Sequence, residues 1–192
     1  MFDKLIYFDK QLFVFLNALG AAPFDPFWLL ITKQSLWIPF FLLLGFLLQR
    51  KIGWKNFGIG LLFITLILIF CNTTVEFCKT YFLRLRPCND PEIKSIIRII
   101  HQTPTYSFFS GHAANSLATM TFVYLILKKY YQYAFLIFLY PLVFAYSRIY
   151  LGVHFPSDIL TGYFVGALFG IAFYKMYTIV LRKTNLQNST NG

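Results

Sequence analysis

Long apolar runs, separated by short polar connectors, dominate the chain. Five runs cover residues 27–48, 57–82, 108–127, 131–150 and 157–181. Each reaches the roughly 20 residues that a helix needs to cross a bilayer. Backbone groups in lipid must be hydrogen-bonded within the chain, so these runs are predicted to be helices. The pattern therefore predicts an all-α integral membrane protein with five transmembrane helices and a single membrane domain over residues 1–192.

The first helical segment, residues 3–19, has a different pattern. Its apolar side chains recur at helical spacing, at Leu5, Phe8, Leu12, Phe15 and Leu19. This pattern predicts an N-terminal amphipathic helix that lies in the membrane interface. A six-span variant, in which this segment also crosses the membrane, is the alternative, but Asp9 and Lys10 near its middle argue against it. At the other end of the chain, residues 183–192 are predicted to form a flexible tail.

Composition and charge support the membrane assignment. Hydrophobic residues make up 58% of the chain and charged residues 12%, about half the share in an average soluble domain. The net charge of +10 does not indicate a nucleic-acid partner, because the basic residues lie at the ends of apolar runs. The basic connectors at 50–55, 128–129 and 182–183 all fall on one side of the predicted bilayer, which the positive-inside rule makes cytoplasmic.

Three polar clusters interrupt this apolar background. They are Lys79-x6-Arg86-Pro87, Ser110-Gly111-His112 and Ser147-Arg148-x5-His154-x3-Asp158. They fall at the end of the second span, the start of the third, and the junction of the fourth and fifth. All three are therefore predicted to lie on the outer face, opposite the basic connectors. Ionisable groups in membrane segments are rare and are usually functional, so the set predicts an active site.

The residue types in these clusters suit phosphoryl transfer. A phosphoryl group in transfer spreads negative charge over its oxygens, which the cations Lys79, Arg86 and Arg148 can neutralise. Ser110 and Gly111 open a helix, where backbone N–H groups can face an anion.

The cluster histidines, His112 and His154, supply the two remaining roles. One can attack phosphorus while the other protonates the leaving oxygen. Asp158, in the first turn of a helix begun by Pro156, is placed to orient the His154 ring.

The three clusters resemble the signature of the type 2 phosphatidic acid phosphatase (PAP2) family, which reads K-x6-R-P, P-S-G-H and S-R-x5-H-x3-D. The matching segments here are KTYFLRLRP at 79–87, FSGH at 109–112 and SRIYLGVHFPSD at 147–158. The one departure is Phe109 in place of the proline.

The resemblance assigns a role to each residue of the three clusters. It implies that His154 forms a phosphohistidine, that Asp158 assists it, and that His112 is the general acid. It also implies a phosphate site, without metal or cofactor, formed by Lys79, Arg86, Ser110, Gly111 and Arg148.

The substrate is expected to be a membrane lipid phosphate, and no obligatory protein partner is expected. Small bacterial members that the chain resembles act on lipid A 1-phosphate or undecaprenyl pyrophosphate, and these two rank equally. Phosphatidylglycerol phosphate is a third candidate, and a non-enzymatic lipid-binding or transport protein is the alternative class. The resemblance and the positive-inside rule together place the protein in the bacterial inner membrane, with its site facing the periplasm. The roles of His101, Glu76 and Lys33 stay open. Arg84 is assigned to solvated surface, with contact to a second phosphate or a sugar as the alternative.

Overall fold

The computed structural model describes residues 2–190, and the side chains of 3–184 within that range. The described part is all-helical, with no β-strand. The helices are α1 (Phe2–Ala18), α2 (Asp25–Ile31), α3 (Ile38–Phe82), α4 (Gly111–Leu127), α5 (Leu139–Tyr150) and α6 (Pro156–Thr190). Short 3-10 turns at Ala22–Phe24, Gln34–Trp37, Pro87–Asn89 and Ala134–Phe138 lie between them. The predicted all-α class is confirmed.

The first two predicted spans differ from the structure. The segment 27–48 is not one helix, because the chain leaves helical geometry after Ile31 and resumes it at Ile38. Beyond that break α3 runs through the predicted connector at 49–56 and bends at Gly53, whose φ of 75° and ψ of 165° are not helical. A side chain at that φ would be strained, so glycine permits the two halves of α3 to pack against each other.

Helices α4 and α6 pack closely against each other along a row of glycines. Gly162, Gly166 and Gly170 recur every four residues on α6 and face the α4 backbone. A Cβ added at any of them would come within 2.5–2.7 Å of a carbonyl oxygen of α4 or its N-cap residue. This spacing of small residues is a recurrent device for close helix contact in membranes. It fixes the start of α4 against the start of α6.

Helix α1 packs on the protein through a mixed face that includes Phe13 and Asn17, and most of its other large apolar side chains point outward. Leu5, Phe8 and Phe15 are more than 60% exposed, whereas Asn17 is 1% exposed. The Asn17 side chain donates to the carbonyl oxygens of Arg98, Ile149 and Tyr150, at 3.1–3.2 Å. Large exposed apolar side chains in contact with lipid require no protein partner. Docking of α1 therefore uses the polar Asn17 side chain as well as the apolar Phe13, and the interfacial position of this helix stays a prediction.

Only part of the predicted membrane layout can be read from helix length. Within the described residues, two helical stretches are long and apolar enough to cross a bilayer, Gln34–Asn89 and Pro156–Thr184. The stretches Asp3–Ala18 and Ala22–Ile31 meet at an angle of 84°, and Ala134–Tyr150 is a shorter apolar helix. The count of five spans plus an interfacial helix stays a prediction. The tail predicted to be flexible is helical as far as Thr190, and residues 191 and 192 lie outside the described range.

Candidate active site

His154 lies in the tight turn that joins α5 to α6. Its backbone N–H donates to the Arg148 carbonyl at 3.3 Å, which folds the chain back over the end of α5. Its Nδ1 is 3.4 Å from Asp158 Oδ2, and its Nε2 is 3.1 Å from Arg86 Nη1. The carboxylate therefore orients one ring nitrogen and leaves the other facing a cation.

The environment of His154 keeps the ring neutral. Burial lowers the pKa of the imidazole to about 4, and the neighbouring Asp158 only partly opposes that shift. A neutral ring has a free lone pair on one nitrogen, which is what a nucleophile requires. With Nδ1 directed at Asp158, that lone pair is on Nε2, where it accepts a hydrogen bond from Arg86 Nη1 at 3.1 Å.

Arg86 is a buried, fully oriented cation beside Nε2. It is 5% exposed. Its Nε and Nη2 donate to the backbone oxygen and Oγ1 of Thr105, both at 2.9 Å, and its Nη1 donates to the Val153 carbonyl at 3.0 Å. Burial lowers the pKa of the guanidinium, but an arginine starts high enough to stay charged. Its position lets it bind a phosphoryl oxygen next to the nucleophile.

Arg148 approaches from α5. Its Nη1 donates to Thr32 Oγ1 at 2.7 Å, so the break between α2 and α3 supplies its anchor. The Arg148 side chain is buried, and its Nε has no hydrogen-bond partner in the described part of the chain. A buried N–H without a partner is costly, and an anion would satisfy it.

The Ser110–Gly111–His112 segment forms the start of α4. Ser110 is the N-cap, and its Oγ accepts the Ala113 N–H at 3.4 Å. This cap explains why α4 begins at Gly111 rather than at the predicted residue 108. The Ser110 N–H donates to the Asp158 carbonyl at 3.0 Å, which ties the cap directly to α6.

The three clusters converge on one place. The His112 ring packs 5.1 Å from the Phe144 ring and lies within the electrostatic reach of Arg148, His154, Arg86 and Lys79. Lys79 is held by its own ion pair, because its Nζ contacts Glu76 at 2.8 Å. The structure thus brings together all the residues that the sequence analysis assigned to the site.

Arg84 is the residue that the sequence analysis placed wrongly. Its guanidinium is not on solvated surface: it contacts Asp158 Oδ1 at 2.7 Å and Asp9 Oδ2 at 2.6 Å. The available signal was its position inside the KTYFLRLRP segment, two residues before Arg86. Thr32 and Thr105, which anchor Arg148 and Arg86, carried no signal in the sequence.

An apolar cavity of about 420 Å³ leads away from His112. It lies between the two halves of α3 and the facing sides of α4 and α5, and its walls include Leu44, Ile64 and Phe144. Near His112 the lining becomes polar at Asn72 and Asn115, whose side chains hydrogen-bond each other at 2.7 Å. The volume is within the usual range for a small-molecule site, about 300–1,000 Å³.

No group of three or more His, Cys, Asp or Glu side chains that could hold a metal ion is found among the described residues. The balancing charges of the site are side-chain cations. Metal independence stays a prediction.

Fold and site together define a membrane protein with a buried histidine among cations. The PAP2 superfamily model matches residues 58–181, and the chain belongs to that superfamily. The family resemblance inferred from the three motifs is therefore confirmed.

Curated relatives cover most of the chain. The lipid A 4′-phosphatases of Bacteroides thetaiotaomicron and Porphyromonas gingivalis are 28% and 29% identical to it, over 91% of this chain and 79% and 75% of their own lengths. An undecaprenyl-diphosphatase of Sulfolobus acidocaldarius is 31% identical, over 86% of this chain and 76% of its own length.

Two solved structures share the fold. A PAP2-type phosphatidylglycerolphosphate phosphatase from Bacillus subtilis has a TM-score of 0.67 at 19% identity, covering 94% of this chain and 87% of its own. LpxE of Aquifex aeolicus has a TM-score of 0.62 at 25% identity, covering 86% of this chain and 93% of its own.

Proposed function

We propose that this chain removes a phosphate group from a membrane lipid through a covalent phosphohistidine at His154. The observation that carries the proposal is the arrangement of the His154 ring, with Asp158 on Nδ1 and the Arg86 guanidinium beside Nε2. Nε2 of the neutral, oriented ring accepts from Arg86, and its lone pair is available for in-line attack on phosphorus once the Arg86 guanidinium binds the phosphate instead. The names of the curated relatives support membrane lipid phosphate hydrolysis as the class of activity.

The other site residues divide the remaining chemistry. Asp158 stabilises the positive charge that develops on His154 during attack. Arg86, Arg148, Lys79, the Ser110 hydroxyl and the Gly111 N–H hold the phosphoryl oxygens. The Ser110 N–H is not among these donors, because it is already donated to the Asp158 carbonyl. His112 donates a proton to the leaving oxygen, and then accepts one from the water that hydrolyses the phosphohistidine. Both steps are metal-free, because the cations of the site neutralise the transferring group.

A lipid A phosphate is the first candidate substrate and undecaprenyl pyrophosphate the second. The lipid A 4′-phosphatase relatives support the first, and the undecaprenyl-diphosphatase supports the second. The cavity beside His112 favours an uncharged leaving group, because none of the described residues that line it is Lys or Arg. Dephosphorylation of lipid A leaves a sugar hydroxyl, which Asn72 and Asn115 can hydrogen-bond. Undecaprenyl pyrophosphate instead leaves a charged monophosphate, which would need a cation there.

Phosphatidylglycerol phosphate ranks third: its leaving oxygen is also that of an alcohol, but the product lipid keeps an anionic phosphodiester. The competing class, a non-enzymatic lipid-binding or transport protein, would not need an oriented nucleophile. The intact set of His112, His154 and Asp158 favours the enzyme.

The proposed location is the inner membrane, with the site at the periplasmic face. Lys51 and Lys129 line one small cavity together with Leu181, so three ends that the positive-inside rule assigns to the cytoplasm lie together. The active-site residues lie at or near the opposite ends of these helices. A lipid there keeps its tails in the bilayer while its phosphate reaches His154.

The test is phosphate release by the purified protein from lipid A, undecaprenyl pyrophosphate and phosphatidylglycerol phosphate. Mass spectrometry of the lipid A product shows which phosphate, 1 or 4′, has been removed. His154→Ala is expected to abolish release while the protein stays folded. His101→Ala is the matched control, because His101 is an exposed loop residue. Substantial release by folded His154→Ala would refute the mechanism, and no release from any lipid by the wild type would refute the proposed activity.

A further inference from the structure

A residue of helix α1 is linked to the nucleophile by two successive ion pairs. Asp9 Oδ2 pairs with Arg84 Nη2 at 2.6 Å, and Arg84 Nη1 pairs with Asp158 Oδ1 at 2.7 Å. Asp158 in turn faces His154 through its other oxygen. The contact begins on a helix whose sequence indicates only a membrane-interface element.

Arg84 is held in place by several contacts besides its two ion pairs. Its backbone carbonyl accepts the Ser107 N–H at 2.9 Å, immediately after α3 ends. Its guanidinium lies 4.2 Å from the centre of the Phe155 ring and also donates to Ser157 Oγ at 2.7 Å. An arginine fixed in this way presents a planar donor in one orientation.

Asp9 also caps the helix that carries Asp158. Its Oδ1 accepts the Ser157 N–H at 2.9 Å, and its Oδ2 accepts the Ser157 hydroxyl. Ser157 is in the first turn of α6, where backbone N–H groups lack helical partners. A carboxylate from α1 therefore supplies the cap of α6 from another helix.

The two oxygens of Asp158 are used differently. Oδ1 accepts from Arg84, whereas Oδ2 accepts the Phe155 N–H at 2.9 Å and faces His154 Nδ1 at 3.4 Å. The Asp158 side chain is fully buried, and Arg84 is the cation that contacts its Oδ1. Loss of Arg84 would remove the charged donor to Oδ1 and loosen the orientation of the carboxylate toward His154, while the Phe155 N–H keeps the carboxylate beside the ring.

We infer that Arg84, held by Asp9 of α1, is a positioning residue that fixes Asp158 for the nucleophile, so that docking of α1 is part of the active site. This inference rests on the proposed function. It goes beyond that proposal because Arg84 and Asp9 contact neither the phosphate nor the reacting nitrogen. They act through Asp158.

The electrostatic effect of Arg84 on His154 provides a distinctive readout. The charged or titratable groups around the ring are Asp158 on α6, Arg86 in the loop, Arg148 on α5, His112 on α4, Lys79 on α3 and, through Arg84, Asp9 on α1. The positive charge of Arg84 offsets part of the attraction between the Asp158 carboxylate and a protonated His154 ring. Removing that positive charge lets Asp158 stabilise the protonated ring better, which raises the pKa of His154.

The experiment compares Arg84→Gln, Arg84→Lys and Asp9→Asn in the full-length protein. Arg84→Gln should lower kcat by about 10- to 100-fold with little change in KM, because a misplaced catalytic group affects the chemical step. The acid limb of its pH profile should move to higher pH. Arg84→Lys should recover part of kcat, and Asp9→Asn should show a weaker form of the same defect. The double variant Asp9→Asn/Arg84→Gln should be no worse than Arg84→Gln alone.

Lys10→Gln is the matched control. Lys10 is the next residue on α1, and it pairs with Asp90 at 2.7 Å and Glu92 at 2.9 Å, not with Asp158. Its loss should leave kcat and the pH profile unchanged. An equal defect in Lys10→Gln would overturn the inference, because general docking of α1 would then explain the result. A raised KM at unchanged kcat in Arg84→Gln would also overturn it, since Arg84 would then bind substrate. The inference would also be overturned if the acid limb of the pH profile of Arg84→Gln stayed where it is in the wild type.

Histidine NMR of the protein in detergent provides a readout that needs no substrate, with His154 assigned from the His154→Ala variant. The pKa of His154 should be higher in Arg84→Gln than in wild type, and Arg84→Lys should restore it. An equal pKa in all three proteins would overturn the inference. This pKa measurement does not depend on whether the wild type hydrolyses any of the candidate lipids. The phosphate-release assay, and not this measurement, would show a failure of the proposed function.

Discussion

Adding one methyl group at Gly162 should damage the active site through the α4–α6 contact. The new Cβ would lie 2.7 Å from the Ser110 carbonyl oxygen, whereas ordinary contacts begin at 3.4 Å. The helices must therefore separate by about 0.7 Å, the difference between these two distances. The opposing atom is backbone, so no side-chain rotation can relieve the overlap. Ser110 is the N-cap of α4 and precedes His112 by two residues.

The expected result is a large loss of activity with a moderate loss of stability. A displacement approaching 1 Å at a catalytic group can cost on the order of 100-fold in rate, and overpacking costs about 1–3 kcal/mol. The assay is kcat/KM on the best lipid substrate, together with thermal unfolding in detergent. Gly58→Ala is the negative control, because a Cβ there meets nothing within 4 Å.

Gly170→Ala separates the two effects. Its Cβ would also lie 2.7 Å from a backbone oxygen, that of Ala118, but Gly170 is eight residues further along α6. At 1.5 Å per residue this is about 12 Å from Gly162. It should lose similar stability and much less activity. Wild-type kcat/KM in Gly162→Ala, or equal activity losses in both variants, would refute the reasoning.

Three further predictions concern pH, metal and sidedness. The buried His154, with its pKa lowered to about 4, is neutral and nucleophilic above that pH, so kcat/KM should fall only below about pH 5; an acid limb near 6.5 would contradict this. Activity should survive excess EDTA and be inhibited by vanadate, and a loss restored by Mg²⁺ or Zn²⁺ would contradict a metal-free mechanism. In cells that express a variant lacking the three native cysteines, a cysteine at exposed Lys94 should react with a membrane-impermeant reagent, whereas one at exposed Lys128 should react only after permeabilisation; the reverse pattern would place the site in the cytoplasm.

The sequence predicted which polar residues lie together better than it predicted the helices that carry them. The chemistry-bearing residues stood out because charges such as Arg148 and Asp158 are rare in apolar segments. The break after Ile31 was missed, because hydropathy reports apolar character and not backbone direction. A connector between the first two spans was predicted at 49–56, and the structure has a bend at Gly53 there rather than a loop. The apolar run from residue 108 begins three residues before α4, whereas the prediction that Ser110 and Gly111 open a helix agrees with the observed start at Gly111.

Contacts between segments that are far apart in the sequence were also not predicted. Asp9 and Arg84 are 75 residues apart, and each alone resembles an ordinary interfacial charge. Their common partner, Asp158, becomes evident only when α1 is docked. The three α6 glycines at four-residue spacing were a readable signal that the sequence analysis did not use.

The central claim is covalent transfer of the phosphoryl group to His154, and the stereochemical course at phosphorus tests it most directly. The measurement uses a lipid thiophosphate made chiral with oxygen isotopes, hydrolysed in isotopically labelled water. Attack by His154 followed by attack of water gives two in-line displacements, and each inverts the configuration. The account therefore predicts net retention. Net inversion would show that water attacks the lipid phosphate directly, and would contradict a phosphohistidine intermediate.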